Sequence, residues 1–366
     1  MTDTRNAILT EHQRLPTSGA RAVEPFEIDG TLYLAVPQLA QDIPGQPAQM
    51  NGGDSDVDMI LYRWRDGRFE EERRLPLPGG EDVLFFEIGG ERFLATAGVR
   101  TGRGPYDLNT NADLYRRQGD AWIKFQSLPA FAAKQWYRFD IGERHFLALA
   151  QGVTMDGVEA RNPRRSMIFE WDGSRFVEFQ TLDGAWGYNF VSFAIDGQHF
   201  LGYADHVSAT GLFRWDGTRF EHFQDLVDHG GRAFQFFEAD GHAWLAVAAV
   251  LGDTVLFHWD GGRFAQHQTL GGPGGRELKL IHSKGSLHLV RICLIQGTPA
   301  APRSDLRSQL YRWEGGQFVL VEEFSTFGGT DAATFERDGQ LYLAVANSLS
   351  AEIRFRQDSV IYRVDL

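Results

Sequence analysis

The stretch LFRWDGTRF at 212–220 alternates apolar and polar residues around an Asp-Gly turn, and close copies of it recur along the chain. They are LYRWRDGRF (61–69), LYRRQGDAW (114–122), IFEWDGSRF (168–176), LFHWDGGRF (256–264), LYRWEGGQF (310–318) and a truncated IYRVDL at the C-terminal end. A second word, aromatic, acidic, apolar, turn, aromatic, alternates strictly with the first. It reads FEIDGTLYLAV from Phe26, FEIGGERFLAT from Phe86, FDIGERHFLAL from Phe139, FAIDGQHFLGY from Phe193, FEADGHAWLAV from Phe237, IHSKGSLHLVR from Ile281 and FERDGQLYLAV from Phe335. Its turn positions, Gly30, Gly90, Glu143, Gly197, Gly241, Gly285 and Gly339, are 60, 53, 54, 44, 44 and 54 residues apart. Seven such units in 366 residues restrict the chain to a repeat architecture.

Each unit holds four short β-type runs: one leading into FEI, one like YLAV, one like LFRW and one like RFEHFQDL (219–226). Asp-Gly or Gly-Gly marks the first and third connections, and these dipeptides reach positive φ at low cost. Seven four-stranded units predict an all-β, seven-bladed β-propeller with antiparallel blades. The abundance of Phe (28) and Gly (41) suits many strands joined by tight turns. A solenoid would need capped ends, whereas here the ends are complementary. The last unit stops at IYRVDL without a fourth strand, and the chain begins with ILTEHQRLP, which resembles FVEFQTLDG of 176–184. The N-terminal strand is therefore expected to complete the last blade and close the ring, leaving no open sheet edge. One domain is expected, with blades near 20–77, 79–130, 132–184, 186–229, 231–273, 274–327 and 329–366 plus 7–16.

These words resemble the EAR, or epitempin (EPTP), repeat, an FEIDGxxYLAVAN-like pair followed by an IYRW-DGxF pair, over residues 8–366. No GH…WD signature recurs and no regular double-glycine kelch pattern is present. The resemblance implies a seven-bladed propeller of the kind found in leucine-rich glioma-inactivated proteins and in some receptor ectodomains, where it mainly binds other proteins. No leucine-rich region is visible within these 366 residues, so the compartment and partner of those proteins are not expected to carry over.

The formal net charge of −13 makes the average surface repel nucleic acid and anionic membrane, so neither is expected as a partner. The single cysteine, Cys293, excludes an internal disulfide framework and any multi-cysteine zinc site. The N-terminus carries no basic region followed by a long apolar run, and no segment approaches eighteen consecutive apolar residues. A soluble chain is expected, cytoplasmic by default.

Chain direction alternates through four strands, so the tight first and third connections share one rim, and the second and fourth share the other. The second connection is long at 37–60, 98–113, 151–167, 293–309 and 347–360 and short at 205–211 and 249–255. Long connections carry function more often than core, so a binding surface is expected on that rim, with a low wall over the fourth and fifth blades. Asp54, Asp56 and Asp58 alternate in the first long connection but lack the glycine and distal Glu of an EF-hand loop, which predicts a solvated acidic loop.

The innermost strands supply two polar layers. Eight residues before each turn stand Ala22, Asp82, Gln135, Asn189, Ala233, Glu277 and Asp331. Alternation turns these toward the central channel and their apolar successors, Val23, Val83, Trp136, Phe190, Phe234, Leu278 and Ala332, into packing. Asp82, Glu277 and Asp331 are hard oxygen ligands of the type Ca²⁺ or Na⁺ accepts, and a structural ion there is one expectation; a water-filled polar channel is the other. One residue earlier lies a more basic layer, Arg21, Glu81, Lys134, Tyr188, Arg232, Arg276 and Thr330, near the long-loop rim. Arg21, Lys134, Trp136, Tyr188, Arg232 and Arg276 are the candidate binding residues at the channel mouth. No GxSxG elbow, HExxH, Walker loop or strand-borne GxGxxG is present. A non-enzymatic module that binds a protein, or less readily a glycan or small molecule, is the leading expectation. The alternative is an enzyme or a small-molecule or ion binder with its site at the channel mouth.

Overall fold

A computed structural model describes residues 7–154, 161–298 and 300–366. Twenty-eight of its strands form seven four-stranded antiparallel sheets arranged as the blades of a propeller. The innermost strands, in order around the ring, are Glu24–Ile28, Gly80–Ile88, Ala133–Ile141, Gly187–Ile195, Gly231–Ala239, Gly275–Ser283 and Gly329–Arg337. Blade 4 is typical: Gly187–Ile195 is followed by Gln198–Asp205, Thr210–Trp215 and Phe220–Val227, each paired with the next. Blade 7 runs Gly329–Arg337, Gln340–Asn347, Ser359–Val364, and its outer strand is Leu9–Leu15 from the other end of the chain. Leu9 pairs with Val364 and Leu15 with Ser359, so the expected closure is present. Among the described residues no helix is long and apolar enough to cross a membrane. The sixth blade's long connection carries a small hairpin, Gln296–Thr298 with Ala301–Arg303, that the repeat did not foretell.

Asp-Gly turns of one spelling take two geometries. In six of the seven first connections both residues have positive φ, as at Asp196 (50°) and Gly197 (78°), the two-residue geometry that matches strand twist. In the third connection of blade 4 only Gly217 does (106°). Asp216 instead accepts hydrogen bonds at Oδ1 from the Thr218 and Arg219 amides (2.7 and 2.8 Å), an Asx turn that closes a wider loop.

Apolar residues gather into seven clusters, each drawn from two adjacent blades, so the ring is held by its seams. The tryptophan of the opening word belongs to such a seam: Trp215 lies 5.0 Å from Phe220 in its own blade and 6.0 Å from Phe146 in the preceding one. Polar clamps reinforce the seams. The Gln180 side chain donates to Phe220 O (2.7 Å) and accepts from Phe220 N (2.9 Å), and Gln13, Gln126, Gln224 and Gln268 repeat the arrangement on Phe69, Phe176, Phe264 and Phe318.

The long connections form a further packed layer on their rim. Leu39, Ala40, Val99, Leu108, Phe131, Val153, Leu349 and Phe355 make one buried apolar cluster. Arg100, 7% exposed, ties the first two loops together by donating to Asn51 O (2.6 Å) and Ser55 Oγ (2.9 Å) while stacking 3.8 Å from the Tyr106 ring. Asp54 departs from the expectation of a solvated acidic loop, while Asp56 is exposed and Asp58 half-buried. Asp54 is 4% exposed and accepts from Gln41 (3.1 Å), the Asp56 amide (3.1 Å) and Arg103 (3.0 Å), because the rim cluster draws this loop inward. Part of the connections at 151–167 and 293–309, residues 155–160 and 299, lies outside the described residues.

Candidate functional site

Strict alternation would send neighbouring layers of the inner strand to opposite sides. The observed register does not alternate there: Gly80 opposes Gly98 while Asp82 opposes Ala97, leaving Glu81 as an extra residue. The same shift occurs at Lys134, Tyr188, Arg232, Arg276 and Thr330. A bulge of this kind re-aims side chains, and here it brings the basic layer into the channel mouth directly above the acidic one. Close backbone approach accompanies it, since a Cβ built on Gly231 would lie 1.9 Å from Thr210 Oγ1.

In the basic layer Glu81 is the carboxylate at the centre. Arg276 Nη2 lies 3.2 Å from its Oε1 and Arg21 Nε 3.5 Å from its Oε2. Burial opposes the charge of Glu81, but Arg21, Lys134, Arg276 and Arg232 together hold its carboxyl below the ordinary glutamate value. Tyr188 is the other hub. The Arg232 guanidinium stacks 3.8 Å from its ring centroid, that of Arg276 4.7 Å, and Lys134 Nζ 5.5 Å. Burial would raise the Tyr188 phenol, and these cations outweigh it and bring the phenol below its usual value. Burial lowers Lys134 and takes Arg232 down to about 10. Five candidate residues, Arg21, Lys134, Tyr188, Arg232 and Arg276, thus meet at one place. The sixth does not. Trp136 is 2% exposed in the seam between blades 2 and 3, with Nε1 donating to Thr96 O (3.0 Å), because it follows the bulge and falls on the packing side.

In the acidic layer the carboxylates staple blades together. Asp82 accepts from the Trp136 amide of the next blade (2.7 Å), and Asp331 from the Val23 amide (2.8 Å), while Glu277 accepts from its own neighbour Leu278 (2.9 Å). Burial raises all three: Asp82 lies well above the usual range, Asp331 is raised, and burial with the nearby Asp331 pushes Glu277 up to about 8. Glu24, two residues further along the same face of blade 1, joins them; it accepts from the Phe85 amide (3.0 Å) and burial brings it to about 8. Carrying the two-residue alternation one step further along the inner strand would have found it. Among the described residues no group of three His, Cys, Asp or Glu side chains is arranged to hold a metal ion.

On the rim above, the short connections of blades 4 and 5 leave Val207 and Leu251 46% and 56% exposed. They flank Gly230, whose amide donates to His206 O (2.9 Å) and whose carbonyl accepts from Val250 (2.8 Å). Trp186 stands beside them with its ring 4.9 Å from His206 and 6.3 Å from Tyr188, linking the rim to the basic layer.

A family model described as the EPTP domain matches residues 9–55, 123–172, 175–216, 219–260 and 317–363. The chain is similar to the mouse (Mus musculus) thrombospondin-type laminin G domain and EAR repeat-containing protein, 28% identical over 46% of this chain and 32% of the relative. The human (Homo sapiens) protein of that name is 23% identical over 49% of this chain and 34% of its own length. The matched part thus spans about a third of these relatives. Among solved structures, that of BBS1N in complex with ARL6DN superposes with a TM-score of 0.59 over 98% of this chain and 97% of the other, at 10% identity, a likeness of fold alone.

Proposed function

The chain belongs to the EPTP-domain family of EAR-repeat propellers, and from that premise we propose that it is a non-enzymatic binding module whose long-loop rim docks a protein partner. The observation that carries this reading is the apolar step on the rim's low wall. Val207 and Leu251, large apolar side chains left 46% and 56% exposed, sit on adjacent short connections beside Trp186, which packs against the buried cluster made by the long loops of the same rim. An exposed apolar patch within a polar, well-packed surround favours a partner that brings apolar side chains of its own.

A comparative pull-down tests the reading. Proteins recovered by the wild type should be lost with Val207→Ser/Leu251→Ser and retained with Leu320→Ser, which removes an equally exposed leucine (48%) from the outer strand of blade 6. Replacing 37–60 with a short turn should also reduce recovery. Equal recovery by the wild type and the rim double variant would overturn the proposal.

A further inference from the structure

The channel mouth holds more positive charge than it neutralises. Arg21, Lys134, Arg232 and Arg276 surround one carboxylate, Glu81, and Arg21 and Arg276 share it. Among the described residues Lys134 and Arg232 form no salt bridge, although they are 5% and 4% exposed; the one hydrogen bond of Arg232 goes to Gly231 O (3.1 Å). The nearby carboxylate of Asp205 is engaged by the Trp186, Val207 and Ser208 amides (2.8, 2.8 and 2.7 Å) and by Tyr203 OH (3.2 Å). Unpaired buried cations are costly, and a buried N–H without an acceptor adds to that cost.

The unpartnered atoms converge as well. Eleven buried side-chain nitrogens and oxygens lack a hydrogen-bond partner among the described residues, and four of them, all nitrogens outside any ion pair, are here: Arg232 Nε, Arg276 Nη1, Trp186 Nε1 and His206 Nδ1; Arg21 Nε, also without a hydrogen bond, faces Glu81 Oε2 at 3.5 Å. The four come from blades 4, 5 and 6, with Lys134 from blade 3, and gather around one side chain: Lys134, Arg232 and Arg276 lie 5.5, 3.8 and 4.7 Å from the Tyr188 ring, and the Trp186 and His206 rings each 6.3 Å from it. A flat carboxylate offers two oxygens in one plane, whereas a tetrahedral oxyanion offers oxygens to donors on all sides. The short connections of blades 4 and 5 leave the low side of the rim next to this point.

We infer that the channel mouth is a binding site for a phosphate-type dianion, held by Lys134, Arg232 and Arg276 with Arg21 behind Glu81 and with Trp186 and His206 as neutral donors. The inference does not depend on a protein partner docking on the rim.

Calorimetric titration of the full chain with inorganic phosphate at neutral pH, against sodium chloride of equal ionic strength, tests it. Saturable binding is expected, with a melting temperature that rises in phosphate and not in chloride. Lys134→Met and Arg232→Met should each weaken phosphate binding at least tenfold. In chloride alone each variant should melt no lower than the wild type, since each removes an unpaired buried cation, an outcome that a purely structural role would not produce. O-phosphoserine as a second titrant separates the sources: binding equal to that of phosphate points to a phosphorylated partner, and binding of inorganic phosphate alone to the free ion. Absence of saturable binding to the wild type overturns the inference, as does unchanged binding by Lys134→Met, even if Arg232→Met does not fold.

Discussion

Gln224 in blade 4 and Phe264 in blade 5 exchange two hydrogen bonds, Gln224 Nε2 to Phe264 O (2.7 Å) and Phe264 N to Gln224 Oε1 (2.9 Å), so one side chain supplies a donor and an acceptor to a neighbouring backbone. Gln224→Ala leaves both backbone groups part-buried without their partner and should cost about 1–3 kcal/mol in chemical denaturation. Gln224→Glu keeps the acceptor and should recover part of that loss. The clamp position holds Arg73 in blade 1, which reaches across the seam with one long bond to Asp120 O (3.4 Å) and otherwise pairs with its neighbour Glu72 (3.3 Å), so Arg73→Gln should stabilise the first seam by about 1 kcal/mol.

The ring closure makes the N-terminal strand a condition of cooperativity. Besides pairing with Ser359–Val364, it is held by Glu322, which accepts from the Ile8 amide (2.7 Å), and by Gln13 on Phe69. Deleting residues 7–16 exposes the edge of Ser359–Val364 and removes two clamps. Loss of a single sharp thermal transition and concentration-dependent aggregation should follow, read by calorimetry and light scattering.

Glu277 sets a pH dependence of defined sign. Its carboxyl titrates near 4.5 when unfolded and about 8 when folded, so its favourable contribution is complete below pH 4.5 and is lost as pH rises through 8. Glu277→Gln should therefore match the wild type at pH 5 and be more stable by on the order of 1–3 kcal/mol at pH 9. Denaturation curves at the two pH values give the comparison.

Gly231 and Thr210 are in direct steric opposition to any larger side chain at 231. Gly231→Ala should destabilise by about 1–3 kcal/mol, because its Cβ would fall 1.9 Å from Thr210 Oγ1. Thr210→Ala in the same chain should return much of that loss, and a double-mutant cycle measures the coupling.

Much of the fold was legible because its signals are local and repeated. FEIDGTLYLAV and LFRWDGTRF each encode a hairpin, and ILTEHQRLP could be matched to a missing strand by comparison with FVEFQTLDG. The glutamine clamp was equally open to reading, as a Gln four residues after the word that ends in Phe, yet its meaning depends on a backbone one blade away. The site was partly legible. Counting back from the turns places Arg21, Lys134, Tyr188, Arg232 and Arg276 at the mouth, whereas Trp136 occupies the packing side that alternation gives to the successors of the acidic layer, and its aromatic character alone makes it a candidate for the mouth.

The sequence by itself determined the number of blades, the order of strands within each, the position of the tight turns and the pairing of the two chain ends. Each rests on hydrophobic alternation and turn chemistry within a few tens of residues. Only the tertiary structure decided that Lys134, Tyr188, Arg232 and Arg276 share one buried point with Glu81, and that Asp54 is enclosed and not solvated. Such outcomes depend on the bulge in each inner strand and on packing among loops from different blades. Burial and electrostatic coupling are sums over neighbours brought together by ring closure, and no spacing along the chain contains them.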